Sequence, residues 1–376
     1  MPMRTRPLIA LALAATSLAA CGSPGPAEEP PLSEEALAAV KADPGAPTQA
    51  LAREIDHLFT LDDLGETRAL VVLHGGEIAA ERYGEGYGPQ TRFVSWSMAK
   101  TVTAVMIGML VADGKLRLDA PAPVPRWQRP GDPRADITLR QLLQMSAGLE
   151  HTEAGDPPYE SSEVRMLFLD GRDDMADYAT AQPLEAEPGA KFEYSSNTTV
   201  ILADIAARAL TDNPSPEARR KAVADYLDAR LFTPLGMSSA VPEFDRAGTL
   251  IGGSLIHANA RDWAKFGEML RNKGSVKGEQ LVPRAWVEEM VESSPTAPHY
   301  GLQTWLNRPL PEGEQHPLFP SRAPHSAFAA IGHMGQFVFV SPSQKLTVVR
   351  LGHSNAEERR AMLQQLADII ELYPAS

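Results

Sequence analysis

The chain has 376 residues, with 48 acidic against 35 basic side chains and a formal net charge of −13. Acidity of that size, with no basic cluster to offset it, argues against nucleic acid as a partner. A single cysteine, Cys21, excludes disulfides, a second thiol nucleophile and thiolate metal sites, while the length suffices for one large core.

In chain order, Arg4 and Arg6 precede an apolar stretch from Pro7 to Ala20. It is short for a membrane span and suits an export signal. It ends in Leu18-Ala19-Ala20-Cys21-Gly22, which resembles a bacterial lipoprotein signal. That resemblance implies a signal peptide over 1–20, a lipidated Cys21, and an exported protein anchored to membrane lipid without spanning it. Gly22, in place of an aspartate, turns the expectation toward the outer membrane. Residues 21–45, rich in Pro, Ala, Glu and Gly, read as a flexible tether with no more than a frayed helix over 33–41.

The folded part starts near residue 46. Leu51, Ile55, Leu58 and Phe59 have helical spacing. Residues 69–74 and 77–83 flank Gly75-Gly76, a turn pair suited to positive φ, and read as a β-hairpin in which His74 is structural. The apolar run Thr101 to Ala112 reads as a buried helix, with Ser95 or Ser97 at its first turn. Leu116 to Asp119 reads as extended, and Thr138 caps a further helix. The chain then stays helical and loop-rich, with an apolar helix from Thr199 to Leu210. Asn259 to Arg271 and Ala285 to Val291 are amphipathic. Strands return over 300–306, 327–331, 336–340 and 346–351, before an amphipathic helix over 356–372. Strands at both ends and helices between imply one antiparallel sheet built from 46–112 and 250–376, with an inserted helical part over 113–249.

The chemistry concentrates at Ser97-Met98-Ala99-Lys100. Residues three apart share a helix face, so the hydroxyl and the amine meet. Burial pushes the lysine toward its neutral form, able to take a proton from serine. The free N–H groups of the first turn suit a developing oxyanion. One tetrad is weak by itself. Two later pieces follow it, Tyr194-Ser195-Ser196 and Gly332-His333-Met334-Gly335-Gln336. Together the three resemble the serine β-lactamase and penicillin-binding-protein superfamily. Residues 139–149, Leu235-Gly236-Met237, Gly252-Gly253-Ser254 and 260–264 resemble its class C-like branch of esterases, D-amino-peptidases and 6-aminohexanoate-oligomer hydrolases.

The resemblance implies a β-lactamase-like α+β fold and a membrane-anchored serine hydrolase that cleaves a small ester or amide, or a short peptide. Ser97 would be acylated, with Lys100 and Tyr194 handling protons. The N–H groups of Ser97 and Gln336 would form the oxyanion hole, and Ser196, His333 and Gly335 would bind substrate. No cofactor is implied. The scattered histidines, His151, His257 and His353 among them, imply no metal. Ser196 stands where class C β-lactamases have asparagine, and His333-Met334-Gly335 where they have Lys-Thr-Gly. Histidine and methionine weaken the anchor for a β-lactam carboxylate, so esterase or amidase chemistry is favoured. The alternatives are a β-lactamase or D-Ala peptidase, and a non-catalytic lipoprotein that binds cell-wall peptides.

Overall fold

The computed structural model describes residues 31–310 and 316–375. Cys21 and the signal segment lie outside them. The first described elements correct the tether. Residues Glu34–Ala39 form a helix (α1), capped by Ser33, whose Ala36 and Ala39 are buried, and Val40 bridges to Ala80. Two buried alanines on one helix face suffice to dock a segment whose composition otherwise looks solvated.

Helix α2 (Thr48–Thr60) buries Leu51, Ala52, Ile55 and Leu58. The hairpin follows as β1 (Glu66–His74) and β2 (Glu77–Tyr83), turning at Gly75 (φ 63°) and Gly76 (φ 94°). His74 packs its ring 5.3 Å from that of Tyr373. From the other end of the chain come β3 (Trp305–Leu306), β4 (Phe328–Gly332), β5 (Gln336–Ser341) and β6 (Leu346–His353). The six strands form one antiparallel sheet in the order β2-β1-β6-β5-β4-β3.

Alternation along these strands serves two cores. Val71, Val338, Val340 and Val349 face one side; Leu70, Val72, Phe337, Phe339 and Val348 face the other. The second face is covered by α1, α2 and the C-terminal helix, whose core members include Ala36, Leu51, Ile55, Leu366 and Ile370. The first face belongs to a larger core built around helix α3 (Ala99–Ala112), which is buried from Ala99 to Leu110.

The middle of the chain supplies α4 (Leu139–Leu143), α5 (Ser162–Phe168), α6 (Met175–Ala181), α7 (Ser196–Leu210) and α8 (Pro216–Leu227). Helices α9 (Ala260–Arg271), α10 (Arg284–Met290) and α11 (Ala356–Glu371) complete the order. Thr138 caps α4 in a full capping box with Gln141. The helical section is no separate body: Ile201 and Ile205 of α7 share a core with Val71 and Val349 of the sheet. Leu116 to Asp119, expected to be extended, forms no strand. One expected strand shrinks. Of residues 300–306 only Trp305–Leu306 is strand, because Gln303 (φ 53°) turns the chain back and Tyr300 bridges Trp305. Among the described residues, no helix is long and apolar enough to cross a membrane.

Candidate active site

The approach to α3 is held on both flanks. Phe93–Val94 pairs with Ile256–Ala258 in a small sheet. Ser95 does not cap the helix: its hydroxyl donates to the carbonyls of Trp96 (2.9 Å) and Ser254 (3.2 Å) and accepts from Ile256 N–H (3.1 Å). Trp96 then takes φ 46°, a strained conformation for so large a residue, and a 3-10 turn over Trp96–Met98 delivers Ser97 to the helix start. Gly332 of β4 permits this crossing, since a Cβ there would sit 2.3 Å from the Ser95 carbonyl oxygen.

One turn on, Lys100 is almost fully buried. Its Nζ lies 2.9 Å from Ser97 Oγ, 2.7 Å from Ser196 Oγ and 2.8 Å from the Gly253 carbonyl oxygen. Burial pushes the amine below its ordinary pKa, while the charges of Glu153 and Glu163 pull it back up. Tyr194 stands over the same pair, its ring 4.8 Å from Lys100 Nζ, and it lines the cleft beside Ser97. Trp305 and Tyr300 pack on that ring at 5.2 and 6.0 Å and fix its orientation. Burial, and then the Glu153 charge, raise the phenol well above its usual pKa, so it is a neutral proton carrier near neutrality.

Ser196, expected to bind substrate, does not line the cleft. It is fully buried at the start of α7, between Lys100 and Glu153. Glu153 was not apparent from sequence. Its Oε2 accepts from Ser196 N–H (2.6 Å), its Oε1 from Ser196 Oγ (2.7 Å), and it lies 3.8 Å from Lys100 Nζ. The one sequence signal was that a buried lysine needs a counter-charge, which does not select among 48 acids. Glu163, on α5, also faces the cleft. Burial and the Glu153 charge push it up to about 7, against the pull of Lys100.

The sheet wall requires a correction. The strand that follows Gly335, β5, is internal, between β4 and β6. Gln336 is paired with Gly332 across β4, and its side chain is spent on the carbonyls of His333, Met334 and Gly352. Gly335 faces away from the cleft, toward Arg350 and Met362. Neither lines the cleft, whereas Ile331, Gly332 and His333 do. The reason is strand alternation. The Ala327 carbonyl accepts from Asn307 N–H on the β3 side, so Ala329, Ile331 and His333 also turn their backbone groups that way. Strand β3 pairs only with Phe328 and Ala329, leaving the edge open beyond them. His333, at the end of that row, is the residue that reaches the cleft beside Ser97.

The cleft, of about 420 Å³, is lined by Trp96, Ser97, Tyr194, Trp305, His333 and Arg359. His333 packs edge-on against Trp96, ring centroids 5.5 Å apart, and burial, then Arg359, lowers its pKa. Arg359 of α11 has no ion-pair partner among the described residues, so positive charge missing from the His333 position is present from elsewhere. Among the described residues no group of three or more His, Cys, Asp and Glu side chains is placed to hold a metal ion.

The family model described as Beta-lactamase matches residues 66–371. A 6-aminohexanoate-dimer hydrolase of Paenarthrobacter ureafaciens is 29% identical over 266 residues, 66% of this chain and 64% of that protein. The chain thus spans a little under two thirds of that relative's length. A solved structure described as a 6-aminohexanoate-dimer hydrolase from Bacillus anthracis has a TM-score of 0.66 at 24% identity, covering 85% of this chain and 83% of its own. EstCE1, a hydrolase with promiscuous acyltransferase activity, has a TM-score of 0.62 at 19% identity, covering 86% and 99%. These neighbours share the fold.

Proposed function

Because the chain belongs to the Beta-lactamase family, among hydrolases of the beta-lactamase and esterase superfamily, we propose that it cleaves an ester or amide through an acyl-enzyme on Ser97. The observation that carries this reading is the 2.9 Å contact between Lys100 Nζ and Ser97 Oγ at a buried amine beside an open cleft. Neutral Lys100 accepts the Ser97 proton as Oγ bonds to the substrate carbonyl carbon. The oxyanion is met by the N–H groups of Ser97 and His333. Collapse breaks the C–O or C–N bond, Tyr194 gives its proton to the departing alcohol or amine, and the proton held by Lys100 restores the phenol. Water, deprotonated by the same pair, then attacks the acyl ester and releases the acid and the serine.

The substrate is a small molecule or short peptide, to fit a cleft of about 420 Å³. Names of relatives that refer to a 6-aminohexanoate dimer and to acyl transfer agree with this chemistry. One observation keeps a β-lactamase or peptidase reading alive: Arg359 offers a cation to a substrate carboxylate. Anchoring through a lipidated Cys21, facing the periplasm or cell surface, belongs to the same proposal. Metabolic labelling with an alkyne fatty acid, lost in Cys21→Ser, tests it.

A fluorophosphonate probe should add one adduct, on Ser97, and none in Ser97→Ala. Folded protein with no adduct by intact mass would overturn the acyl-enzyme reading.

A further inference from the structure

Lys100 Nζ has three neighbours, and their hydrogen inventory is restrictive. The Gly253 carbonyl oxygen only accepts. The Ser196 hydroxyl has one proton and two candidate acceptors, Glu153 Oε1 at 2.7 Å and Nζ at 2.7 Å. An ionised carboxylate is the stronger acceptor, and Glu153 is held to the task because its other oxygen accepts from Ser196 N–H at 2.6 Å. With its proton committed to Glu153, Ser196 Oγ receives an N–H from Lys100. A neutral amine has two N–H bonds and one lone pair. Both N–H bonds are then assigned, to Gly253 and Ser196, and the lone pair is left toward Ser97.

We propose that Glu153 is the positioning residue of this site, acting through Ser196 to aim the Lys100 lone pair at Ser97. The inference rests on the acyl-enzyme reading above. The fold supports the glutamate in place. Thr152 and Ser162 exchange backbone-to-side-chain hydrogen bonds at 2.6 and 2.9 Å, pinning the Glu153 loop to the start of α5. Just before it, His151 is buried against Thr198 of α7 and the Ala179 carbonyl of α6.

Other titratable groups line the same cleft: Tyr194, Glu163, His333 and Arg359. Their titrations are shared, so the acid limb of the pH profile reports the cluster and not one residue. Removing the Glu153 charge still lowers the proton affinity of Lys100, and the ionisation of Glu163 limits the shift.

The test is kinetic, on the full chain with a chromogenic ester. Glu153→Gln keeps size but can accept from only one of the two Ser196 donors. It should lower kcat roughly 30-fold or more, with KM within about threefold, and move the acid limb to lower pH by up to about one unit. Ser196→Ala should lose a similar factor, and the double variant should lose no more than the worse single one. Wild-type kcat and an unmoved acid limb in folded Glu153→Gln, or full additivity in the cycle, would overturn the proposal. If Glu153→Gln fails to fold, Ser196→Ala with wild-type kcat overturns it equally. Ser97→Ala runs alongside: turnover surviving there refutes the acyl-enzyme reading itself, a different failure.

Discussion

Lys100 and Arg350 are both basic side chains almost wholly removed from water, and both are served mainly by neutral oxygens. Arg350, in β6, donates to Thr67 Oγ1, Ser354 Oγ and the carbonyls of Glu66, Met334 and Gly335, at 2.9 to 3.4 Å. Burial lowers its pKa to about 9, so it keeps its charge at neutral pH. Its planar fork ties β1 to the turn before β5, which fixes the loop carrying His333. Lys100 has a point-like head, a shell of three near neighbours, and one neighbour at an open cleft. The same desolvation thus yields a structural staple where donors outnumber opportunities for proton exchange. It yields a base where the amine can lose its proton and a reactive hydroxyl can use the lone pair.

Substitution separates the two roles. Lys100→Met should lower kcat at least about a thousandfold while leaving the fold intact, because methionine fills the space without a buried charge. Steady-state turnover together with a thermal melt checks both halves, and activity within tenfold of wild type would remove the lysine from the chemistry. Arg350→Met should do the reverse in kind. It strands several buried oxygens and should cost about 3–5 kcal/mol of unfolding free energy in urea titrations. A loss below about 1 kcal/mol would show that water replaces the guanidinium easily.

These two residues also mark how far the sequence is readable. The Ser97–Lys100 contact is local, a matter of helical spacing, and the chain spells it out. The hairpin at Gly75-Gly76, the α4 capping box and the C-terminal helix are local in the same sense. The role of Arg350 is not local, since its acceptors come from residues 66–67, 334–335 and 354. Glu153 is similarly hidden, 53 residues from the lysine it serves and in a loop without periodicity. His333 lines the cleft and Gln336 does not, because which residues face it depends on which strand is the edge. That follows from the pairing of β3 with Phe328 and Ala329, a two-residue strand no pattern announces. The docking of helix α1, though not the helix itself, escaped for a related reason: small buried alanines look like linker until a partner surface is known.

A third buried basic group extends the comparison to pH. His151 donates from Nε2–H to the Ala179 carbonyl (3.2 Å), and its Nδ1 accepts from the Thr198 hydroxyl (3.3 Å), which fixes the neutral tautomer. Burial lowers its pKa from 6.5 to about 4. Above pH 6.5 it is neutral in folded and unfolded chains and contributes no pH dependence. As pH falls toward about 4 the unfolded chain takes up a proton that the folded one refuses, so stability is lost. The loss attributable to this group is about 3 kcal/mol between neutral pH and about pH 4. Other carboxylates titrate over the same range, so the measurement is a difference: urea unfolding of wild type and His151→Gln at both pH values. The variant should be weaker at neutral pH but lose about 3 kcal/mol less on acidification. Equal acid losses in the two proteins would mean that His151 charges freely where it sits, and that the loop carrying Glu153 is looser than its hydrogen bonds imply.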